Sequence, residues 1–144
     1  MEILPNLLLS SQSAASDQNT LTSHGVTHIL NVAPGIPRAF PESFTYCEVP
    51  ILDLPDTDIT QYFPQCFKFI DDVRADGGRV LVHCNAGVSR AVSIVTGYVI
   101  EKEHMDFERA FALVKSKRAA ARPNDGFKAQ LKAFAKSKIN PAKT

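Results

Sequence analysis

Apolar positions along the chain follow two different spacings. Short continuous runs, Thr27-His28-Ile29-Leu30-Asn31-Val32 and Arg79-Val80-Leu81-Val82-His83, have the length and branched content of buried strands. A helical segment precedes the first and ends at Gly25. Phe44 to Leu52 predicts a further strand that stops near Asp53. Tyr62, Phe63, Cys66, Phe67, Ile70 and Val73 recur at helical spacing, and Gly77-Gly78 close that helix. Arg90 to Glu101 is apolar almost all round, which predicts a central, enclosed helix. Phe107, Ala110, Phe111 and Val114 mark the next helix, with Asp106 as its cap. Phe127, Leu131 and Phe134 mark the last, after Pro123-Asn124-Asp125-Gly126. Pro34 to Pro41 reads as a loop inside the domain, and Met1 and Asn140 to Thr144 as frayed ends. Strands alternating with helices predict an α/β layer fold built on one central sheet.

Composition narrows this little. With 144 residues, 44% hydrophobic and 22% charged, the chain reads as one globular domain, 1–144. No apolar run approaches the ~20 residues of a membrane span. The first residues lack a basic leader region, and Glu2 stands where myristoylation needs glycine. No membrane or nucleic-acid partner is expected. Cys47, Cys66 and Cys84 include no Cys-x-x-Cys pair, so the expectation is a reducing compartment, cytoplasmic and also nuclear, with neither disulfide framework nor zinc site. Net charge is +1, but residues 101–144 carry 11 Lys/Arg against 5 Asp/Glu, while residues 1–100 carry 5 against 10. Lys128, Lys132 and Lys136 form a row on the last helix, read as a solvated face.

The chemistry concentrates where the run Val80 to His83 meets Cys84-Asn85-Ala86-Gly87-Val88-Ser89-Arg90. A cysteine between a strand end and a helix start lies where helix-terminal N–H groups stabilise a thiolate. Gly87 frees the backbone, so that the N–H groups of Asn85, Ala86, Gly87, Val88, Ser89 and Arg90 can curl around one anion. Arg90 adds a planar fork for two phosphate oxygens. Sulfur attack on phosphorus expels a poor leaving group, so a general acid is needed. Asp53, Asp56 and Asp58 share one loop; Asp53 leaves the strand end directly, Asp56 is its alternative, and Asp58 fits a helix cap. Cys47 and Cys66 read as core. Ser89 is expected to hydrogen-bond within the loop.

His83-Cys84-Asn85-Ala86-Gly87-Val88-Ser89-Arg90 resembles the signature loop of the cysteine-dependent protein phosphatases, specifically the dual-specificity group and its small atypical members. Asn6 to Gln12, Val26 to Ala33, Asp53 to Phe63 and Pro123 to Phe127 are similar to further segments of that family. The resemblance implies a three-layer fold with a mixed, mostly parallel sheet flanked by helices. It implies hydrolysis of phosphotyrosine and phosphoserine/phosphothreonine in proteins through a phosphocysteine, without cofactor or metal. Cys84 would be the nucleophile, Arg90 the phosphate clamp and Asp53 the acid and base. His83 would orient the loop, and Asn124 would brace the site or cap a helix. Phosphate or sulfate would sit in the loop, and the partners would be phosphoproteins, including members of mitogen-activated protein kinase pathways. Three positions depart from the pattern: Ala91 where Ser or Thr is usual, Ala119 where an Arg-Pro pair is frequent, and Ser10 for a frequent Gly. Ala91 alone favours the alternative of a phosphoprotein-binding module without turnover. A rhodanese-like sulfurtransferase would not need Asp53, and a phosphoinositide phosphatase would favour extra cations in residues 85–89.

Overall fold

Two sets of alternating side chains leave the central strands in opposite directions, and each is covered by helices. The structure, a computed structural model, describes residues 2–139; the expected fraying of Met1 and Asn140 to Thr144 falls outside them. Five strands form one sheet: β1 (Glu2–Leu4), β2 (Leu7–Ser10), β3 (His28–Asn31), β4 (Thr45–Glu48) and β5 (Val80–His83), in the order β1-β2-β5-β3-β4. β2, β5, β3 and β4 run parallel, and only β1 is antiparallel, so the sheet is mixed and mostly parallel, as expected. Leu8, Ile29 and Leu81 point to one face and pack with Ala15, Leu21 and Val26 under α1 (Gln12–Ala15) and α2 (Gln18–Ser23). Leu7, Leu9, Leu30, Val80 and Val82 point to the other, into the larger core beneath α3 (Phe63–Ala75), α4 (Arg90–Glu103), α5 (Phe107–Lys117) and α6 (Asp125–Ile139). This period-two division yields three layers.

α4 is the axis of the larger core: every residue from Ala91 to Ile100 is buried. Asp106 Oδ1 accepts from Arg109 N at 2.8 Å and caps α5 as expected. Gly97 lets α4 approach α3; a Cβ there would lie 2.8 Å from Phe63 Cζ. Cys66 is buried and Cys47 packs partly buried against the same core, which agrees with their reading as core residues.

One strand expectation needs correction, and two further strands carry no expectation from the sequence. The strand expected over Phe44 to Leu52 closes at Glu48. It is an edge strand whose only partner, β3, ends opposite it at Asn31, and Pro50 has no N–H to continue the ladder. β1 and β2 escape the periodicity, because a three-leucine run bounded by Pro5-Asn6 has too few positions to choose between strand and helix. The register matters for the site. Ser10, His83 and Asn31 stand side by side at the carboxyl ends of adjacent parallel strands, the edge where open α/β sheets bind ligands.

Candidate active site

Cys84 is the first residue beyond β5, the middle strand of the sheet, and Arg90 is the first residue of α4. The five residues between them form a tight turn whose carbonyls are all held from outside. Asn85 O accepts from Gln12 N (2.8 Å) and Val88 O from Arg122 N (2.7 Å). Ala86 O and Gly87 O accept from Arg118 Nη2 (2.6 Å) and Nε (2.7 Å). Ser89 O accepts from both the backbone and the hydroxyl of Ser93, at 2.9 and 2.7 Å. With the carbonyls fixed outward, the loop N–H groups line its concave side, the arrangement that receives an anion. The positive end of α4 points to the same place. Gly87 has φ +68°, and a Cβ there would lie 2.6 Å from Ser10 O and 2.9 Å from the Arg118 guanidinium, so the loop requires glycine.

Cys84 is 2% exposed, at the bottom of this loop. His83 beside it is buried, and its Nδ1 donates to Cys84 O at 3.0 Å, which ties the imidazole to the nucleophile's own backbone. Burial pushes the His83 pKa below its ordinary value, outweighing the bond to Cys84 O, and keeps the ring neutral. Arg90 reaches across to donate from Nη1 to Ile51 O at 3.0 Å, and its buried Nε has no partner among the described residues. A buried guanidinium N–H left over in this position fits an incoming phosphate oxygen.

Asp53 arrives from a different part of the chain. Its Oδ1 accepts from Ser89 Oγ at 2.8 Å and from Asn124 Nδ2 at 2.9 Å, while Asn124 N donates to Ser89 Oγ at 2.9 Å. The structure therefore brings Asp53, Ser89 and Asn124 into one triangle that joins the acid loop, the catalytic loop and the entry to α6. Ser89 does not bond within its own loop as expected; its hydroxyl bridges outward to the Asp53 carboxylate, a stronger acceptor than a neutral carbonyl. Asn124 fills both expected roles, for its Oδ1 also accepts from Phe127 N at 2.8 Å and caps α6. Asp58 caps the short 3-10 turn Ile59–Tyr62 by accepting from Thr60 N at 3.1 Å.

α6 holds the acid loop from its other side. Gln130 Nε2 donates to Thr57 O (2.9 Å) and its Oε1 accepts from Ile59 N (2.8 Å). Gly126 lies so close to the loop that a Cβ on it would stand 1.8 Å from Pro55 O. Two expected outcomes follow from these clamps. Gly126→Ala must push the backbone of the acid loop away, destabilising the fold by about 1–3 kcal/mol and slowing turnover; thermal unfolding and kcat check it, and an unchanged Tm contradicts the close approach. Ser89→Ala removes a bond to the Asp53 carboxylate, worth about 1.5–3 kcal/mol for a charged acceptor, and leaves Asn124 N without its partner. A fall in kcat on phosphopeptides of about tenfold or more is expected, with peptide affinity little changed.

Three features lay outside the reach of the sequence reading: the Arg118 side chain beneath the loop, the Gly126–Pro55 contact and the Gln130 clamp. The strongest available signal was Arg118 itself, a cation beside the Ala119 departure. Among the described residues, Leu52 and Leu54, on either side of Asp53, are the large apolar side chains left exposed, at 56% and 49%.

A strand-end cysteine, an outward-tied loop, an arginine at the head of a buried helix and an aspartate from a facing loop define a cysteine-dependent phosphatase site on an α/β sheet. Comparison with known proteins makes the assignment specific. Residues 7–137 match the family described as "Dual specificity phosphatase, catalytic domain", and the chain belongs to that family. It is 52% identical over 132 residues to mouse dual specificity protein phosphatase 19, covering 92% of this chain and 60% of the relative's length. It is 42% identical to dual specificity protein phosphatase 1B of Arabidopsis thaliana, covering 94% and 81%. Among solved structures, the human tyrosine phosphatase-like serine/threonine/tyrosine-interacting protein superposes with a TM-score of 0.86 at 39% identity, covering 92% of this chain and 93% of that one. A mouse chain assigned to the dual specificity phosphatases and complexed with zinc tungstate superposes at 0.88 with 32% identity, covering 98% and 89%.

Proposed function

We propose that this domain hydrolyses phosphotyrosine and phosphoserine/phosphothreonine in proteins through a phosphocysteine, and the observation that carries the reading is the loop between Cys84 and Arg90, with the carbonyls of its five residues tied outward. The phosphate oxygens accept from the loop N–H groups and from the Arg90 guanidinium. Cys84 Sγ attacks phosphorus as the bond to the tyrosyl, seryl or threonyl oxygen breaks. Asp53 delivers a proton to that oxygen, and the dephosphorylated side chain leaves. A water then attacks the phosphocysteine, Asp53 takes its proton, the sulfur–phosphorus bond breaks, and inorganic phosphate departs with Cys84 again a thiolate. His83 and Arg118 hold the loop in shape throughout. Binding of tungstate, a tetrahedral oxyanion, by a structural neighbour supports an anion in this loop. The exposed Leu52 and Leu54 give the rim an apolar face suited to polypeptide rather than to a small phosphate ester. Kinase-pathway phosphoproteins, in the cytoplasm or nucleus, are the proposed substrates; the family resemblance and three free cysteines support this. Release of inorganic phosphate from both phosphotyrosine and phosphothreonine peptides tests the reading, and turnover of neither contradicts it.

Ala91, fully buried where the family usually has a hydroxyl, is an observation on the side of a phosphoprotein-binding module. A hydroxyl there would stabilise the departing Cys84 thiolate by ~1 kcal/mol. Ala91→Ser is therefore expected to raise the steady-state rate several-fold relative to the burst; an unchanged ratio in rapid-quench kinetics removes Ala91 from the account.

A further inference from the structure

The large apolar side chains that the described residues leave in water, Leu52 and Leu54, both adjoin Asp53. The backbone around them is tied down at every step. Ile51, before Leu52, is buried in the core, and its O accepts from Arg90 Nη1 at 3.0 Å. Asp53, between the two leucines, is held through Oδ1 by Ser89 Oγ (2.8 Å) and Asn124 Nδ2 (2.9 Å). Leu54 O accepts from Thr57 N at 3.0 Å and closes a turn, and the Pro55 backbone lies against Gly126. The exposure is therefore built into the loop and does not come from slack in it. A lone exposed leucine is ordinary on a protein surface. Two of them, both adjoining the acid and both on backbone fixed to Arg90, Ser89 and Asn124, make a rigid apolar rim at the site.

We propose that Leu52 and Leu54 form a specificity subsite that takes an apolar side chain next to the phosphoresidue of the substrate, a claim that rests on the phosphatase reading of the site. The Asp53 proton has to reach the leaving oxygen, so the phosphoresidue lies against Asp53 during transfer. The Cα atoms of Leu52 and Leu54 each stand one trans peptide from that of Asp53, about 3.8 Å away. Residues joined to the phosphoresidue therefore pass over the leucines once the acid is in reach. Contact with an apolar neighbour withdraws surface of both partners from water and favours binding without touching the reacting atoms. Because the loop is already held by Arg90, Ser89, Asn124 and Gln130, little ordering of the loop opposes that contact. The subsite is uncharged, so its contribution is expected to persist at salt concentrations that screen ionic contacts. It deepens the proposed reaction by naming a substrate class: phosphoproteins with an apolar residue flanking the phosphoresidue.

Phosphotyrosine peptides with alanine, asparagine or leucine beside the phosphoresidue, on the amino side in one series and on the carboxyl side in another, test this. Calorimetry reads Kd on Cys84→Ser, and steady-state kinetics reads KM on the parent. On one of the two sides, leucine is expected to lower both about three- to tenfold relative to alanine, with kcat little changed. Asparagine, similar in size but polar, should give no such gain, and the leucine gain should hold as salt rises. In the double variant Leu52→Ser/Leu54→Ser the ratio of leucine to alanine peptide should fall toward one, each form's own alanine peptide serving as the reference. Equal affinities for alanine and leucine on both sides, or a leucine gain that survives the double substitution, overturn the subsite. So does a parent dimer in sedimentation velocity that the double variant loses, with no leucine preference in either; that result assigns the rim to a second copy of the chain. Failure of the phosphatase reading is distinguishable, because no peptide would then release phosphate while the leucine preference in binding remained.

Discussion

Cys84→Ser is expected to abolish turnover while leaving phosphopeptide binding largely intact. The anion is held by backbone N–H groups, whose orientation depends on carbonyl bonds to Gln12, Arg118, Arg122 and Ser93, and by Arg90; none of these contacts uses the sulfur. The substitution exchanges one atom in a buried position, so the loop keeps its shape. What is lost is the nucleophile, because a serine hydroxyl carries its proton at neutral pH, whereas a thiol ionises far more readily. His83 Nδ1 is committed to Cys84 O. Steady-state kinetics on a phosphotyrosine peptide, paired with calorimetric titration of the same peptide, separates the two effects. Residual turnover within tenfold of the parent would remove the thiolate from the mechanism.

The second large effect is expected at Asp53. Asp53→Asn keeps the shape of the side chain and an oxygen that can still accept from Ser89 and Asn124, so the triangle survives. It removes the proton that must reach the leaving oxygen. General acid catalysis contributes about 10²–10⁴-fold, and the full loss is expected where the leaving group is poor, as in phosphoserine and phosphothreonine peptides. An activated aryl phosphate needs little protonation to depart and should lose far less. A plot of log kcat/KM against leaving-group pKa should therefore steepen in the variant. Parallel lines for parent and variant would move the acid role elsewhere, Asp56 on the same loop being the next carboxylate to test.

The elements that carry the chemistry were legible because their signals are local. α4 announces itself through an unbroken apolar stretch, β5 through a short buried run, and the turn between them through Gly87 and the Cys84–Arg90 spacing. Asp58, Asp106 and Asn124 cap the elements they precede, as a short polar side chain before an apolar repeat predicts. The antiparallel β1 and its partner β2 were not legible, since three or four residues hold no resolvable period.

The wiring of the site was hidden for a different reason. Ser89 meets Asp53 across 36 residues of sequence, and Asn124 meets Asp53 across 71. Arg118 reaches Gly87 O across 31, and Gln130 meets Thr57 O across 73. Nothing in the spacing of apolar positions encodes which polar side chains meet once the layers have closed. Ser89 illustrates the point. Its position in the loop suggested a local partner, but the Asp53 carboxylate is a stronger acceptor than a loop carbonyl, so the hydroxyl became the latch between the acid loop and α6. Likewise Gly126 carries no sequence sign that Pro55 packs against its bare Cα.

Trapping the covalent intermediate tests the central claim most directly. The domain is mixed with a phosphotyrosine peptide, quenched in denaturant within the first turnover, digested and read by mass spectrometry; Asp53→Asn, in which water attack is also slowed, serves as a second source of the intermediate. Phosphate on the peptide containing Cys84, rising during the burst and absent from Cys84→Ser, is the predicted result. Turnover that proceeds with phosphate on no residue, or on a residue other than Cys84, contradicts the account.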